Sequence, residues 1–288
     1  MMTEVVTILE PSRGGQFLDC TVGSGGHSRA LLEAGASHVI GLDRDNEILP
    51  MAAVRLEPWQ KRFELVHADF RNFETVLDQY GISSIDGAIT DLGMSQMQLN
   101  GEGRGFSFRR DDPLDMRMDR SAGETAADIL RDTSEAGLAE IIFQYGEERY
   151  ARRIARAIVG TRVHKPLDST GQLAALIRRV VPRSKHQRID PATRTFQALR
   201  IKVNRELDGL DQFINTMCHR LRTGARLVII SFHSLEDRIV KTTFRKLAHE
   251  SEIALRILTK RPMRAGSNEI DGNPRARSAK LRAAERLA

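Results

Sequence analysis

The sequence predicts an α/β protein: a mainly parallel sheet interrupted by a small inserted helical domain. Three observations carry this. Apolar runs alternate with helical patterns from residue 16 to residue 91, the rhythm of parallel strands joined by helical crossovers. The first of these units turns through Gly23, Gly25 and Gly26, which suits a tight passage from strand to helix. The alternation then stops, and arginine-rich helical stripes follow before a strand run returns at residues 226–230.

Taken in order, residues 3–9 read as a short helix leading into the first strand, 16–20. Beyond the glycine turn, 29–34 is a helix that Gly35 stops. The second strand, 39–42, ends on Asp43, and 46–56 is a helix with Pro50 in its first turn. The third strand is 63–67, and the next helix, 73–80, is closed by Gly81. The fourth strand, 85–90, ends on Asp91. Residues 96–120, rich in Gly, Arg, Asp and Phe, lack a period and read as a long loop, of the kind that is either functional or disordered. Three apolar stripes come next: Leu138, Ile141, Ile142 and Tyr145; then Tyr150, Ile154 and Ile158, ended by Gly160; then Leu173, Leu176, Ile177 and Val180, stopped by Pro182. Asp190-Pro191 opens one long helix whose stripe runs from Phe196 to Leu221, with Gly224 ending it. A fifth strand (226–230), a helix (235–249) and strands at 252–259 and 278–282 complete the chain. The division implied is a discontinuous sheet domain, 1–101 with 195–288, around a helical domain, 102–194.

Bulk properties narrow the function. The hydrophobic fraction of 41% in 288 residues supports a real core. No apolar run approaches the length of a membrane-crossing helix, and residues 1–12 lack the pattern of a signal peptide. Cys20 and Cys218 make neither a disulfide framework nor a metal site, so a cytoplasmic setting without a metal fits. The net charge of +6 conceals an asymmetry. Residues 1–101 carry 7 Lys/Arg against 14 Asp/Glu, whereas 149–205 carry 15 against 2. Of the 44 basic residues 36 are Arg, the side chain suited to phosphate forks and base stacking, so a polyanionic substrate is expected.

In parallel sheets ligands bind beyond the carboxyl ends of the strands. His27, Asp43, Asp69-Phe70 and Asp91 all fall there. Asp43 lies about 20 residues beyond the first glycine, where an acid accepts from ribose hydroxyls. That grammar serves any adenosyl ligand. A dinucleotide site would want a third glycine at position 28, where Ser28 stands, and Gly26 is extra. The departure weakens a pyrophosphate reading and favours S-adenosylmethionine. An ordinary strand-to-helix turn is the bland alternative, and the convergence of four strand tips weighs against it.

The chain resembles the bacterial ribosomal RNA small-subunit methyltransferase H (MraW) family. The resemblance rests on Asp19-Cys20-Thr21-Val22-Gly23-Ser24-Gly25-Gly26-His27-Ser28, Asp91-Leu92-Gly93-Met94-Ser95 through Gln98-Leu99, and Arg104-Gly105-Phe106-Ser107-Phe108. It extends to Pro113-Leu114-Asp115-Met116-Arg117-Met118-Asp119, Tyr145-Gly146-Glu147-Glu148-Arg149, Arg194-Thr195-Phe196-Gln197-Ala198-Leu199-Arg200-Ile201 with Val203-Asn204, Ile230-Ser231-Phe232-His233-Ser234-Leu235-Glu236-Asp237-Arg238 and Asn273-Pro274-Arg275-Ala276-Arg277-Ser278. It implies a Rossmann-like class I methyltransferase sheet with an inserted all-α domain. It also implies S-adenosylmethionine as cofactor and methylation of the 4-amino nitrogen of a cytidine in the 16S rRNA decoding centre. The family pattern places cofactor contacts on Gly25, Gly26, His27, Asp43, Phe70, Asp91 and Gln98. Three departures stand out: the His-x-Pro-Val start is missing before Thr3, Met97 replaces a common proline, and Asn100 replaces a common acid.

On this reading Asp91 accepts from the cytosine amine beside the sulfonium, and His233, after the fifth strand, either takes the proton or orders its own loop. Phe106 and Phe108, among arginines, either stack an unstacked base or pack in the core. Gln197, Arg200 and Asn204 share a helix face that would line the cytidine pocket. Arg149, Arg152, Arg153 and Arg156 form a basic face for phosphates, and Arg275 and Arg277 serve RNA or the fold. The partner is 16S rRNA within the 30S subunit, bound by a monomer or homodimer. Competing classes are a nicotinamide-dependent oxidoreductase, a non-catalytic ribosome-assembly factor and a methyltransferase of DNA cytosine amines or proteins.

Overall fold

The structure, a computed structural model, describes residues 1–182, 189–250 and 252–287. The chain runs α1 (Met2–Leu9), β1 (Gln16–Asp19), α2 (Gly26–Glu33), β2 (His38–Asp43), α3 (Leu49–Leu56), β3 (Phe63–His67), α4 (Phe73–Gln79) and β4 (Ile85–Asp91). Helices α5 (Gln96–Asn100), α6 (Ala126–Asp132), α7 (Glu135–Gly146), α8 (Ala151–Arg162), α9 (Thr170–Val180) and α10 (Ala192–Asn204) follow. Then come α11 (Leu210–Arg220), β5 (Leu221–Ser231), α12 (Ser234–Glu250), β6 (Leu255–Ile257), α13 (Ser267–Gly272) and β7 (Lys280–Arg286). Two compact units result: Met1–Gly93 with Gly209–Ala288, and Met94–Asp208.

The first unit is the expected α/β sheet. Among the described residues its seven strands lie in the order β3-β2-β1-β4-β5-β7-β6. Strands β1 to β5 are parallel, and β7 runs antiparallel between β5 and β6. Period-two alternation sends neighbouring side chains to opposite faces, and both faces are buried. Leu18, Ile40, Ala88, Leu227 and Ile229 meet α4, α11 and α12 through Phe73, Phe213 and Phe244. Phe17, Val39, Ile89, Val228 and Ile230 meet α1 and α2 through Val5, Leu9, Leu31 and Leu32. Two thiols are sealed in this unit: Cys20 under the glycine turn and Cys218 on α11. Burial pushes both upward, Cys218 to about 12.

The second unit is helical around one core that includes Leu138, Ile142, Ile154, Ile158, Leu173, Ile177 and Leu199. It reaches further than residues 102–194 at both ends, because α10 packs on α7 within it. Of the basic run, Arg183, Lys185 and Arg188 lie outside the described residues.

Several sequence expectations need correction. The long helix is two, α10 and α11, broken where Arg205 (φ 50°) and Gly209 (φ +66°) adopt left-handed conformations. The three-four spacing of apolar residues ran through the break and hid it, although Asp208-Gly209 is a turn signal. Gly160 does not end α8: Arg162 donates to the carbonyls of Leu130 and Thr133 at 2.5 and 2.7 Å, holding the last turn. Gly224 sits inside β5, next to the register shift opposite residues 85 and 87, and is a strand irregularity rather than a helix stop. The loop at 96–120 begins with α5, and α6 and α13 were not expected. Strand β6 is shorter than 252–259, and β7 extends to Arg286. No helix among the described residues is long and apolar enough to cross a membrane.

Candidate functional site

The turn from β1 to α2 is built from glycines for separable reasons. Gly23 (φ +52°) and Gly25 (φ +82°) hold the left-handed region that side chains avoid. A Cβ on Gly25 would also meet Ala52 of α3 at 3.4 Å. Gly41 matters too, and sequence reasoning passed over it. A Cβ there would lie 2.8 Å from Val22, so its absence lets β2 seat the turn, whose Val22 N–H donates to the Leu42 carbonyl at 2.7 Å.

Four ionisable groups converge at this carboxyl edge. Asp43 accepts from Gly23 N at 2.8 Å and from Asp45 N at 2.9 Å, one bond per carboxylate oxygen. Burial raises it to about 6, against the two backbone bonds. Asp19, wholly buried and not singled out from sequence, accepts from Ser28 Oγ at 2.7 Å and Thr21 N at 3.3 Å. Burial pushes it up. His27, in the first turn of α2, places Nε2 3.5 Å from Asp91 Oδ2. Burial pulls the His27 imidazole down, but its hydrogen bond to Asp91 and the charges of Asp91 and Asp19 outweigh that, leaving it raised. The Asp91 N–H donates to Thr21 Oγ1 at 2.7 Å, tying the β4 tip to the glycine turn. His27 Nδ1 and Asp91 Oδ1 are buried without a hydrogen-bond partner among the described residues. Buried polar atoms left unpaired in a protein of this size ask for a ligand or an ordered water.

Phe70 follows β3 and is 8% exposed, its ring edge-on to Phe213 at 4.7 Å and 5.5 Å from the Arg71 guanidinium. Asp69 is engaged by the Arg71 side chain and backbone, with Arg44 3.8 Å away. His233 opens α12 and contacts Glu236 Oε1 at 3.1 Å, while its Nδ1 accepts from Glu236 N at 3.3 Å. Glu236 in turn takes the Phe232 N–H at 2.8 Å. These contacts are local to the loop, while Nε2 is buried without a hydrogen-bond partner among the described residues.

In the helical unit, Gln98 closes a capping box with Ser95: its Oε1 accepts from Ser95 N at 2.9 Å, and Ser95 Oγ accepts from Gln98 N at 3.1 Å. Phe106 is 7% exposed in the core, and Phe108 lies edge-on to Phe196 at 4.8 Å under the Arg178 guanidinium. Phe106 thus packs in the core of this unit, while Phe108 is half-buried against it. Gln197, Arg200 and Asn204, expected to line a pocket, all bond within the helical unit. Gln197 donates to the Tyr145 carbonyl at 3.1 Å. Arg200, largely buried, forks onto the buried Glu206 at 2.8 and 2.9 Å. Asn204, 1% exposed, donates to Met116 and Arg200 carbonyls and accepts from Met118 N. These residues brace the loop after Gly105 against α10. Buried polar side chains on a helix face look like ligand contacts in sequence, and only the backbone partners distinguish the two. Arg149, Arg152, Arg153 and Arg156 do stand in solvent, Arg149 over Tyr150 at 4.6 Å and Arg156 3.5 Å from Glu135.

The glycine cradle, the ribose-type acid on β2 and the unpaired atoms of His27 and Asp91 fit an adenosyl cofactor whose sulfur carries no phosphate. Fold and site together define an S-adenosylmethionine-dependent methyltransferase of Rossmann-like architecture. The chain belongs to the MraW methylase family, whose model matches residues 1–287. It is 49% identical to a ribosomal RNA small subunit methyltransferase H from Trichlorobacter lovleyi, over 99% of this chain and 96% of that one. It is 51% identical to the protein of the same name from Cyanothece sp., over 95% and 89%. Among solved structures, an rRNA methylase from Streptococcus thermophilus aligns over 99% of this chain and 95% of its own, with a TM-score of 0.44 at 13% identity.

Proposed function

We propose that this enzyme methylates the 4-amino nitrogen of a cytidine in the decoding centre of 16S rRNA, acting on the 30S subunit in the cytoplasm. The names of its relatives support a small-subunit ribosomal RNA substrate. The observation that carries the chemistry is the Asp91 carboxylate: one oxygen lies 3.5 Å from His27 Nε2, and the other is buried and unpaired among the described residues.

S-adenosylmethionine supplies an activated methyl group when bound. Gly25 and Gly26 offer backbone without side chains, Asp43 takes the ribose hydroxyls with its remaining lone pairs, and Phe70 bounds the adenine end. A cytosine amine is a weak nucleophile because its lone pair is delocalised into the ring. The main tasks left to the protein are alignment and acceptance of a hydrogen bond from the N–H, which pushes electron density onto nitrogen. Asp91 Oδ1 performs the second task. Arg149, Arg152, Arg153 and Arg156 hold RNA phosphates.

The test is transfer of labelled methyl to naked 16S rRNA and to 30S particles, followed by nucleoside analysis. The expected product is a single N4-methylated cytidine. Label on another base, or on protein, would overturn the reading.

A further inference from the structure

We propose that His27 is the positioning residue for Asp91: its Nε2, 3.5 Å from Oδ2, fixes one carboxylate oxygen so that Oδ1 is presented as the acceptor. This rests on the reading of Asp91 as the acceptor for the substrate amine, and extends it to a second side chain.

The geometry of the pair is set from two sides. His27 sits in a helix turn pinned at its next residue, where Ser28 Oγ donates to the buried Asp19 carboxylate at 2.7 Å. Asp91 is pinned through its own N–H to Thr21 Oγ1 at 2.7 Å. Asp19, Thr21, His27 and Ser28 all belong to the passage from β1 to α2, so this one segment fixes both members of the pair.

Charge favours the same role. The imidazole is faced by Asp91 from β4 and Asp19 from β1, and opposed by the Met1 amino group at the start of α1. Burial and the amine pull the imidazole down, the two carboxylates outweigh them, and the imidazolium persists above its ordinary range. As pH rises through that raised value, a charge-assisted bond to Asp91 becomes a neutral one, which is roughly half as strong. Turnover should therefore carry a limb on its alkaline side that belongs to His27.

The experiment compares wild type with His27→Ala, His27→Gln and Asp91→Asn. It measures S-adenosylhomocysteine affinity by calorimetry, kcat and KM on 30S particles, and the pH profile of kcat. For His27→Ala we expect kcat to fall roughly 10- to 100-fold, the range of one hydrogen bond to a charged group. KM for RNA should stay within about threefold, and S-adenosylhomocysteine affinity, since His27 also belongs to the cofactor set, should fall by a smaller factor than kcat. His27→Gln, whose amide can still donate to Oδ2, should recover part of kcat without the alkaline limb. It also supplies the answer if the alanine variant does not fold. An unchanged kcat and an unchanged limb would overturn the proposal. So would cofactor affinity falling by the same factor as kcat, which would make His27 a cofactor contact only. Asp91→Asn with near-normal turnover would instead sink the underlying reading of Asp91, whatever His27 does.

Discussion

The assignment of Asp43 to the ribose predicts that cofactor binding depends on pH around 6. Its carboxyl is raised to about 6 by burial at the end of β2. Each oxygen already accepts one backbone N–H, at 2.8 and 2.9 Å, so each has one lone pair left for a ribose hydroxyl. Protonation consumes a lone pair and replaces an acceptor with a donor. With a value of about 6, roughly one site in eleven is ionised at pH 5 and about ten in eleven at pH 7. If only the ionised form binds well, Kd should tighten about tenfold across that interval, or about 1.4 kcal/mol. S-adenosylhomocysteine is the ligand of choice, because it binds without turnover and its sulfur carries no charge. Titration calorimetry at pH 5, 6, 7 and 8 should give a rising affinity that levels off near pH 7. Asp43→Asn should bind roughly 10- to 100-fold more weakly at pH 8, the loss of hydrogen bonds to a charge, and show no such slope. A flat wild-type profile, or an Asn variant with the same slope, would refute the assignment of Asp43 to the ribose.

Three further expectations concern the helical unit. Asn204→Ala strips partners from Met118 N and the Met116 carbonyl in a buried site, so denaturant unfolding should show a loss of about 2–4 kcal/mol. An intact stability would mean the loop is held elsewhere. Phe106→Ala should act as a core truncation costing about 3–5 kcal/mol; lost RNA affinity at unchanged stability would restore the stacking role. Arg152→Ala with Arg153→Ala should weaken 30S binding uniformly and lower the steepness of its salt dependence, while S-adenosylhomocysteine affinity is unchanged. A double variant with wild-type salt dependence would remove that face from the RNA contact.

Much of the sheet unit was readable because its determinants are local. Apolar runs, glycine stops and strand-terminal acids each announce themselves within a few residues, and the parallel topology then places Asp43, Phe70 and Asp91 on one edge. What escaped is non-local. Gly41 counts only because Val22 folds over it. Asp19 reads as an ordinary strand residue until Ser28 and Thr21 bond to it. Asn204 and Arg200 were assigned outward because polarity was taken as exposure, while their partners, the Met116 and Met118 backbone and Glu206, lie at distances no periodicity encodes. The break between α10 and α11 escaped for a different reason: an apolar stripe persists across it, and periodicity reports burial rather than continuity of hydrogen bonding.

The two sealed sulfhydryls equip this protein with its own reporter. Neither Cys20 nor Cys218 presents a thiolate to solvent at neutral pH, so alkylating reagents and mild oxidants should spare the native form. Modification then requires the sheet unit to open, and its rate counts those openings without an engineered label. Cys20 lies beneath the glycine cradle, so ligand occupancy should slow its modification in step with affinity, giving a readout of cofactor engagement that needs neither RNA nor turnover.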